Sequence, residues 1–177
     1  ANIEMYGKII SIYNISLSSD IGIVDSKQQR EKELTLFDDL FLQNIQELDE
    51  LGNKDTSVHL LLSALNINEI SDKMPNEYVK FVDKYNAIDL YRCHNIDGDG
   101  FTTAKHKRHQ YMFLILTKDI LDKKSKYHDA FVNAQDQNDL MKVIIRRYKF
   151  HILEIGVTEL DTSGSNYPVE CIFILKF

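Results

Sequence analysis

The residues with most chemical potential lie between positions 93 and 109. Asn95-Ile-Asp97-Gly-Asp99-Gly100 sets side-chain oxygens at alternate positions ahead of a glycine. A calcium loop begins this way, because alternate oxygens converge on a hard cation and glycine permits the sharp turn. Counting twelve from Asn95 reaches His106, where such a loop needs a bidentate glutamate. The stretch therefore reads first as a polar turn, with Asp and Gly supplying the backbone geometry. Cys93, His94, His106 and His109 are zinc-type ligands in the same segment, and His106 and His109 at i, i+3 would share a helix face. Their spacing matches no standard zinc pattern, and no carboxylate partner for the imidazoles is evident. Asn95, Asp97, Asp99, His106 and His109 are weak metal candidates only, and no metal or cofactor is assigned.

Other chemistry is sparser still. The sequence contains no Gly-x-Ser-x-Gly elbow, no phosphate loop and no His-Glu-x-x-His motif. Asp38 and Asp39 are adjacent, so on a strand they would point apart and could not share acid–base work. No residue is assigned as catalytic, and the chain is expected not to be an enzyme. Lys105-His-Lys-Arg-His109, followed by Lys118, Lys123, Lys124 and Lys126, forms a basic stretch in a chain of net charge −6. It reads first as a solvated helix face, and otherwise as a strip that could meet an acidic partner surface or a phosphate.

The bulk properties bound the remaining classes. The chain has 177 residues, 44% of them hydrophobic and 27% charged, which suits one folded domain and excludes a disordered chain. An acidic balance argues against a nucleic-acid partner, since phosphates call for a basic surface. The longest apolar run, Tyr111–Leu116, is too short to cross a bilayer, so no membrane insertion is expected. The start of the sequence shows no basic-then-apolar leader, and two cysteines, Cys93 and Cys171, make no disulfide framework. These point to reduced thiols in a cytoplasm, and export by a route without a signal peptide is compatible with them.

Patterning supplies the elements. Residues 2–14 are rich in β-branched and aromatic types and read as a strand or strand pair, and residues 18–32 as loop. Over 33–51, Leu36, Leu40, Phe41, Ile45 and Leu48 fit a helical stripe, although short strands would also fit. Asp55, Thr56 and Ser57 are N-cap types, and Val58, Leu61, Leu62 and Leu65 follow at helical spacing, predicting a helix over 55–66. Pro75 opens a short helix through Tyr85, and 87–93 reads as a strand. Residues 127–146 look helical, with Phe131, Leu140 and Ile144 buried. Beyond them Tyr148, Phe150 and Ile152 alternate with polar residues, and 169–177 reads as a strand apolar on both faces, covered on both sides.

Four stretches resemble the haemolysin-coregulated protein (Hcp) family, the tube proteins of type VI secretion systems. Phe37-Asp-Asp-Leu-Phe-Leu-Gln43 is similar to the strand before the family helix, and Lys54-Asp-Thr-Ser-Val-His-Leu-Leu-Leu-Ser-Ala-Leu65 to the helix itself. Ala87-Ile-Asp-Leu-Tyr-Arg92 resembles a strand ending in an aromatic–Arg pair. Tyr148–Thr158, with Gly164 and Tyr167-Pro-Val-Glu170, resembles the closing hairpin. Val169 and Cys171 stand where the family has Thr and Ser, and 94–146 would be a long, partly helical insertion.

The resemblance implies a mainly β fold: one Hcp-like β-barrel or two-sheet sandwich over 1–177, with a short amphipathic helix. It asks 34–44 to be strand, and that reading is preferred here to the helical period, since tertiary pairing overrides local pattern. It further implies a structural part of a type VI or related contractile secretion apparatus, in a bacterial cytoplasm or exported through the apparatus. The partners would be identical subunits, closing into a hexameric ring through a heterologous contact, and effector or apparatus proteins. The alternative is a monomeric protein-binding module, such as a toxin-neutralising immunity protein or a secretion adaptor, docking through 105–126.

Overall fold

The computed structural model describes residues 1–5, 7–18, 26–53, 57–65, 76–94, 111–116, 118–157 and 169–175. Its strands are β1 (Asn2–Met5), β2 (Lys8–Ser16), β3 (Val58–Ala64), β4 (Ala87–Asp89), β5 (Tyr111–Ile115), β6 (Phe150–Val157) and β7 (Val169–Leu175). Its helices are α1 (Ser26–Glu50), α2 (Asn76–Tyr85), α3 (Leu90–His94), α4 (Lys118–Leu121), α5 (His128–Val132) and α6 (Gln137–Tyr148).

Five strands make one open sheet in the order β1-β2-β3-β5-β4. β2 and β3 run parallel, joined through α1, while β1 and β5 are antiparallel to their neighbours. β3 is the middle strand, hydrogen-bonded on both edges, with Val58, His59, Leu60, Leu61 and Ser63 all buried. Side chains alternate across a strand, so burial at both parities requires a layer on each face.

Those layers are helical. On one face Ile10, Val58, Leu60, Ile88 and Leu114 pack with Leu90, Ile120, Ile144 and Tyr148 of α3, α4 and α6. On the other, Leu61, Ala87, Tyr111, Phe113 and Ile115 pack with Phe37 of α1 and Tyr78, Phe81 and Tyr85 of α2. The chain is a mixed α/β sandwich, and the expected mainly β barrel or two-sheet sandwich is corrected accordingly.

Local physics explains the individual departures. Residues 34–44, preferred as strand, lie within α1, where Leu34, Phe37, Phe41 and Leu48 fall on one helical stripe against the sheet. α1 also begins at Ser26, inside the expected loop. It ends in a Schellman turn: Asn53 N–H donates to Leu48 C=O at 2.8 Å and Gly52 N–H to Asp49 C=O at 3.0 Å. Gly52 takes φ +71°, a conformation a Cβ would strain. The helix expected over 55–66 is instead β3, because its apolar run faces both layers and not one. The strand expected over 87–93 stops at Asp89, whose carboxylate accepts Arg92 N–H at 3.2 Å and so caps α3.

Other expectations agree with the structure. Residues 2–14 do form a strand pair and α2 occupies the stretch after Pro75; the helical stretch expected over 127–146 is two helices, α5 and α6, and α6 runs on through Tyr148, the residue read as opening the next strand. Ile144 is fully buried, and Phe131 and Leu140 partly so. β6 and β7 form the expected hairpin, but they pair with each other in a separate two-stranded sheet and do not close the larger one. Within 94–146, the segment read as an insertion, β5 sits between β3 and β4.

This architecture puts the energetic centre at the β3–β5 pair. Phe113→Ala, at a side chain with no solvent exposure, is expected to lower unfolding free energy by about 3–5 kcal/mol. Leu36→Ala on the exposed side of α1 should change it by less than about 0.5 kcal/mol. Urea denaturation of the two variants checks the contrast.

Candidate docking site

The outer edge of β2 is only half covered. Ala1 and Ile12 exchange main-chain hydrogen bonds, Ile12 N–H to Ala1 C=O at 2.7 Å and the Ala1 amino group to Ile12 C=O at 2.8 Å. Ile12 therefore aims its N–H and C=O away from β3. The backbone alternates, so Asn14 and Ser16 aim theirs the same way. β1 reaches no further than Ile12, and among the described residues nothing bonds these outward groups of Asn14 and Ser16. The opposite parity faces β3, as the bond from Leu17 N–H to Ala64 C=O shows.

Beside this edge lies a groove of about 340 Å³, bounded by Ile12, Tyr13, Ile15, Phe37, Leu40 and Asn44. Leu40 is 64% exposed and Leu36, one turn earlier, 66%. Helical geometry puts the two on the same flank of α1. Glutamine–glutamate pairs elsewhere on the helix, such as Gln43 to Glu47 at 3.0 Å, show what its solvated surface ordinarily carries. An unpaired strand edge with large apolar side chains next to it is a surface suited to accepting another strand.

A polar chain, buried at its Ser57–His59 end and open at Asn2, runs beneath the groove. Asn44 Nδ2 donates to Tyr13 OH at 2.5 Å and to Ser11 Oγ at 3.1 Å. Tyr13 OH meets His59 Nδ1 at 3.0 Å, and His59 Nε2 meets Ser57 Oγ at 3.1 Å. At the surface end Asn2 Nδ2 donates to Asn44 Oδ1 at 2.9 Å, and Ser11 Oγ donates to Asn2 Oδ1 at 2.8 Å. The Ser57–His59 pair has the bond length of a nucleophile–base pair. Ser57 is only 1% exposed and His59 3%, so the pair is closed to solvent in this structure. Tyr13 and Phe41 rings pack on His59, at 6.0 and 5.6 Å between centroids. Burial pushes the His59 pKa down to about 4, so the ring is neutral at pH 7 and links β3 to Tyr13 of β2, which Asn44 of α1 joins in turn.

The candidates singled out from sequence are distributed differently. Asn95, Asp97, Asp99, His106 and His109 lie outside the described residues, as does Lys105–His109 as a whole. Among the described residues no group of three or more His, Cys, Asp or Glu is arranged to hold a metal. Cys93 packs at the edge of the core; burial, then the nearby Asp89 carboxylate, pushes its thiol up to about 12. It stays protonated at neutral pH, which is unfavourable for a nucleophile. Lys123, Lys124 and Lys126 are exposed, with the Lys126 ammonium 5.0 Å from the Tyr127 ring centroid. Asp38 lies on α1, where it accepts from Lys84 Nζ and Tyr85 OH, both at 2.6 Å, and Asp39 is exposed beside it.

Sequence reasoning missed the Ser57–His59–Tyr13–Asn44 chain. Its one trace is the matching i, i+2 placement of Ser11 and Tyr13 on one strand and Ser57 and His59 on another. No family model matches this sequence, and no curated protein or solved structure is significantly similar to it. No helix among the described residues is long and apolar enough to cross a membrane.

The depressed His59 pKa has a measurable consequence. Because the folded pKa lies below the unfolded value of 6.5, the unfolded chain takes up the proton first as pH falls. The contribution is complete above pH 6.5 and is lost as pH drops toward about 4, roughly 3 kcal/mol in all. Urea titrations across this window should show the decline, and His59→Phe should remove most of that slope.

Proposed function

We propose that this chain is a protein-docking module that receives an extended segment of a partner on the open edge of β2. The observation that carries this reading is the conjunction of two outward-facing backbone positions that no described residue bonds, Asn14 and Ser16, with the exposed Leu36 and Leu40. Main-chain hydrogen bonds would supply affinity, and the groove beside Phe37 and Leu40 would select apolar side chains at alternate positions of the incoming strand. The polar chain through Tyr13 and Asn44 supports it by fixing α1 at one distance from the edge, so that the groove exists before the partner arrives.

The ring-forming tube subunit implied by the resemblance is the special case in which the incoming strand belongs to a second copy. Light scattering at rising concentration reads that case directly. A hexameric mass abolished by Leu40→Asp supports self-assembly through this edge, and a strict monomer turns the reading toward a foreign partner.

The decisive test uses displayed extended peptides selected against the whole chain. Bound peptides should shift the backbone amide resonances of Asn14 and Ser16, and Leu36→Asp with Leu40→Asp should weaken them at least tenfold without altering the urea midpoint. Selected peptides that leave these amides unmoved, or that bind the double variant equally well, would overturn the assignment.

A further inference from the structure

A second concavity lies beyond the ends of the parallel strands β2 and β3, on a different set of side chains from the groove beside Tyr13. Leu17 and Leu65, the residues just past those strands, form its floor with Leu34 and Phe81, and Lys27 and Lys80 are on its lining. Its volume is about 340 Å³, at the small end of the range for small-molecule sites. The crevice beyond the carboxyl ends of parallel strands is the usual ligand position in an open α/β sheet.

Two features define what would fit. The floor is apolar and deep: Leu17, Leu65 and Phe81 are 6%, 1% and 4% exposed. The rim is cationic, with four basic residues against two carboxylates, although the whole chain carries −6. Arg30 and Glu77 form an ion pair at 3.0 Å that ties α1 to α2 and fixes the width of the cleft. Lys84 is held by Asp38 at 2.6 Å. Lys27 on α1 and Lys80 on α2 are exposed on opposite walls, with Glu31 the remaining carboxylate.

We infer that this cleft binds a small amphipathic anion, an apolar chain bearing one carboxylate, with the chain against Leu17, Leu34 and Leu65 and the carboxylate between Lys27 and Lys80. Apolar burial provides the attraction, and the two ammonium groups discriminate for negative charge over neutral or positive head groups. The cleft and the groove beside Tyr13 share no lining residue, so this site does not rest on the strand-edge reading.

The probe is decanoate, kept below its micellar concentration and titrated into the whole chain, with decanol and decyltrimethylammonium as neutral and cationic counterparts. Decanoate should bind with one-to-one saturation, shift the methyl resonances of Leu17, Leu34 and Leu65, and bind at least tenfold tighter than either counterpart. Lys27→Glu combined with Lys80→Glu, both at exposed positions, should remove that preference while leaving decanol binding and the thermal midpoint unchanged. Thr35→Trp, which fills the cleft mouth from an exposed helical position, should abolish binding of decanoate and decanol together. The inference fails if the three methyl groups do not respond, if the three amphiphiles bind alike, or if decanoate binds the filled variant as it binds the wild type.

Discussion

Desolvation of β3 on both faces is the constraint from which the rest of the molecule follows. A strand with Leu60 directed to one side and Leu61 to the other cannot face water on either, so it must be central and must be roofed twice. Each apolar side chain so placed contributes about 1.5–3 kcal/mol of transfer free energy. That demand recruits α1 and α2 to one face and α3, α4 and α6 to the other. It also explains why β5, which carries the equally buried Phe113 and Leu114, pairs directly with β3 and not at the margin.

The two faces are built differently. The side under α3, α4 and α6 is almost wholly aliphatic, with Tyr148 the exception among its buried members. The side under α1 and α2 is aromatic: Tyr13, Phe37, Phe41, Tyr85, Phe81 and Phe113 form a chain of edge and tilted contacts. Hydroxyls and one imidazole are threaded through it; those of Tyr13, Tyr78, Tyr85 and Ser57 and the His59 ring find partners, while the buried Ser63 hydroxyl has none among the described residues. Tyr78 OH donates to Asp89 at 2.9 Å, and burial raises the carboxyl pKa of Asp89. Polar groups enclosed in this way orient the helices more narrowly than apolar contact alone, because a displaced helix would strand a buried donor. Both concavities border α1, whose position those bonds define.

How much of this was legible in the residues depends on where the deciding information resides. The opening hairpin, α2 and the helical character of 127–146 were readable because their periods are local and Pro75 marks the start of α2; the break before α6, where Asp136 accepts Asp139 N–H at 2.9 Å, was not read. α1 was readable as a helix from the period over 33–51, which the family resemblance outweighed, but its buried face was legible only in part: Phe41 and Leu48 lie on it, whereas Leu36 and Leu40 of the same stripe are exposed and Phe37 takes the core position. β3 was not, since Val58, Leu61, Leu62 and Leu65 fit a helical stripe and a doubly covered strand equally, and only the two opposing layers separate the possibilities. The mainly β expectation failed at that point. The groove was illegible for a related reason: it requires the parallel register that sets Tyr13 beside Leu61 and brings Asn44 over them, which no local pattern encodes.

The strand order also governs how the chain emerges during synthesis. β4 precedes β5 in sequence, yet β5 lies between β4 and β3. A nascent chain complete only through His94 contains β1, β2 and β3 but not β5, the strand that pairs with the second edge of β3. β4 cannot protect it, having no place in the ladder until Tyr111–Ile115 arrives. For the time needed to translate that interval, Leu60 to Ser63 present an unsatisfied template to any neighbouring chain, and this is the stage at which a chaperone has most to cover.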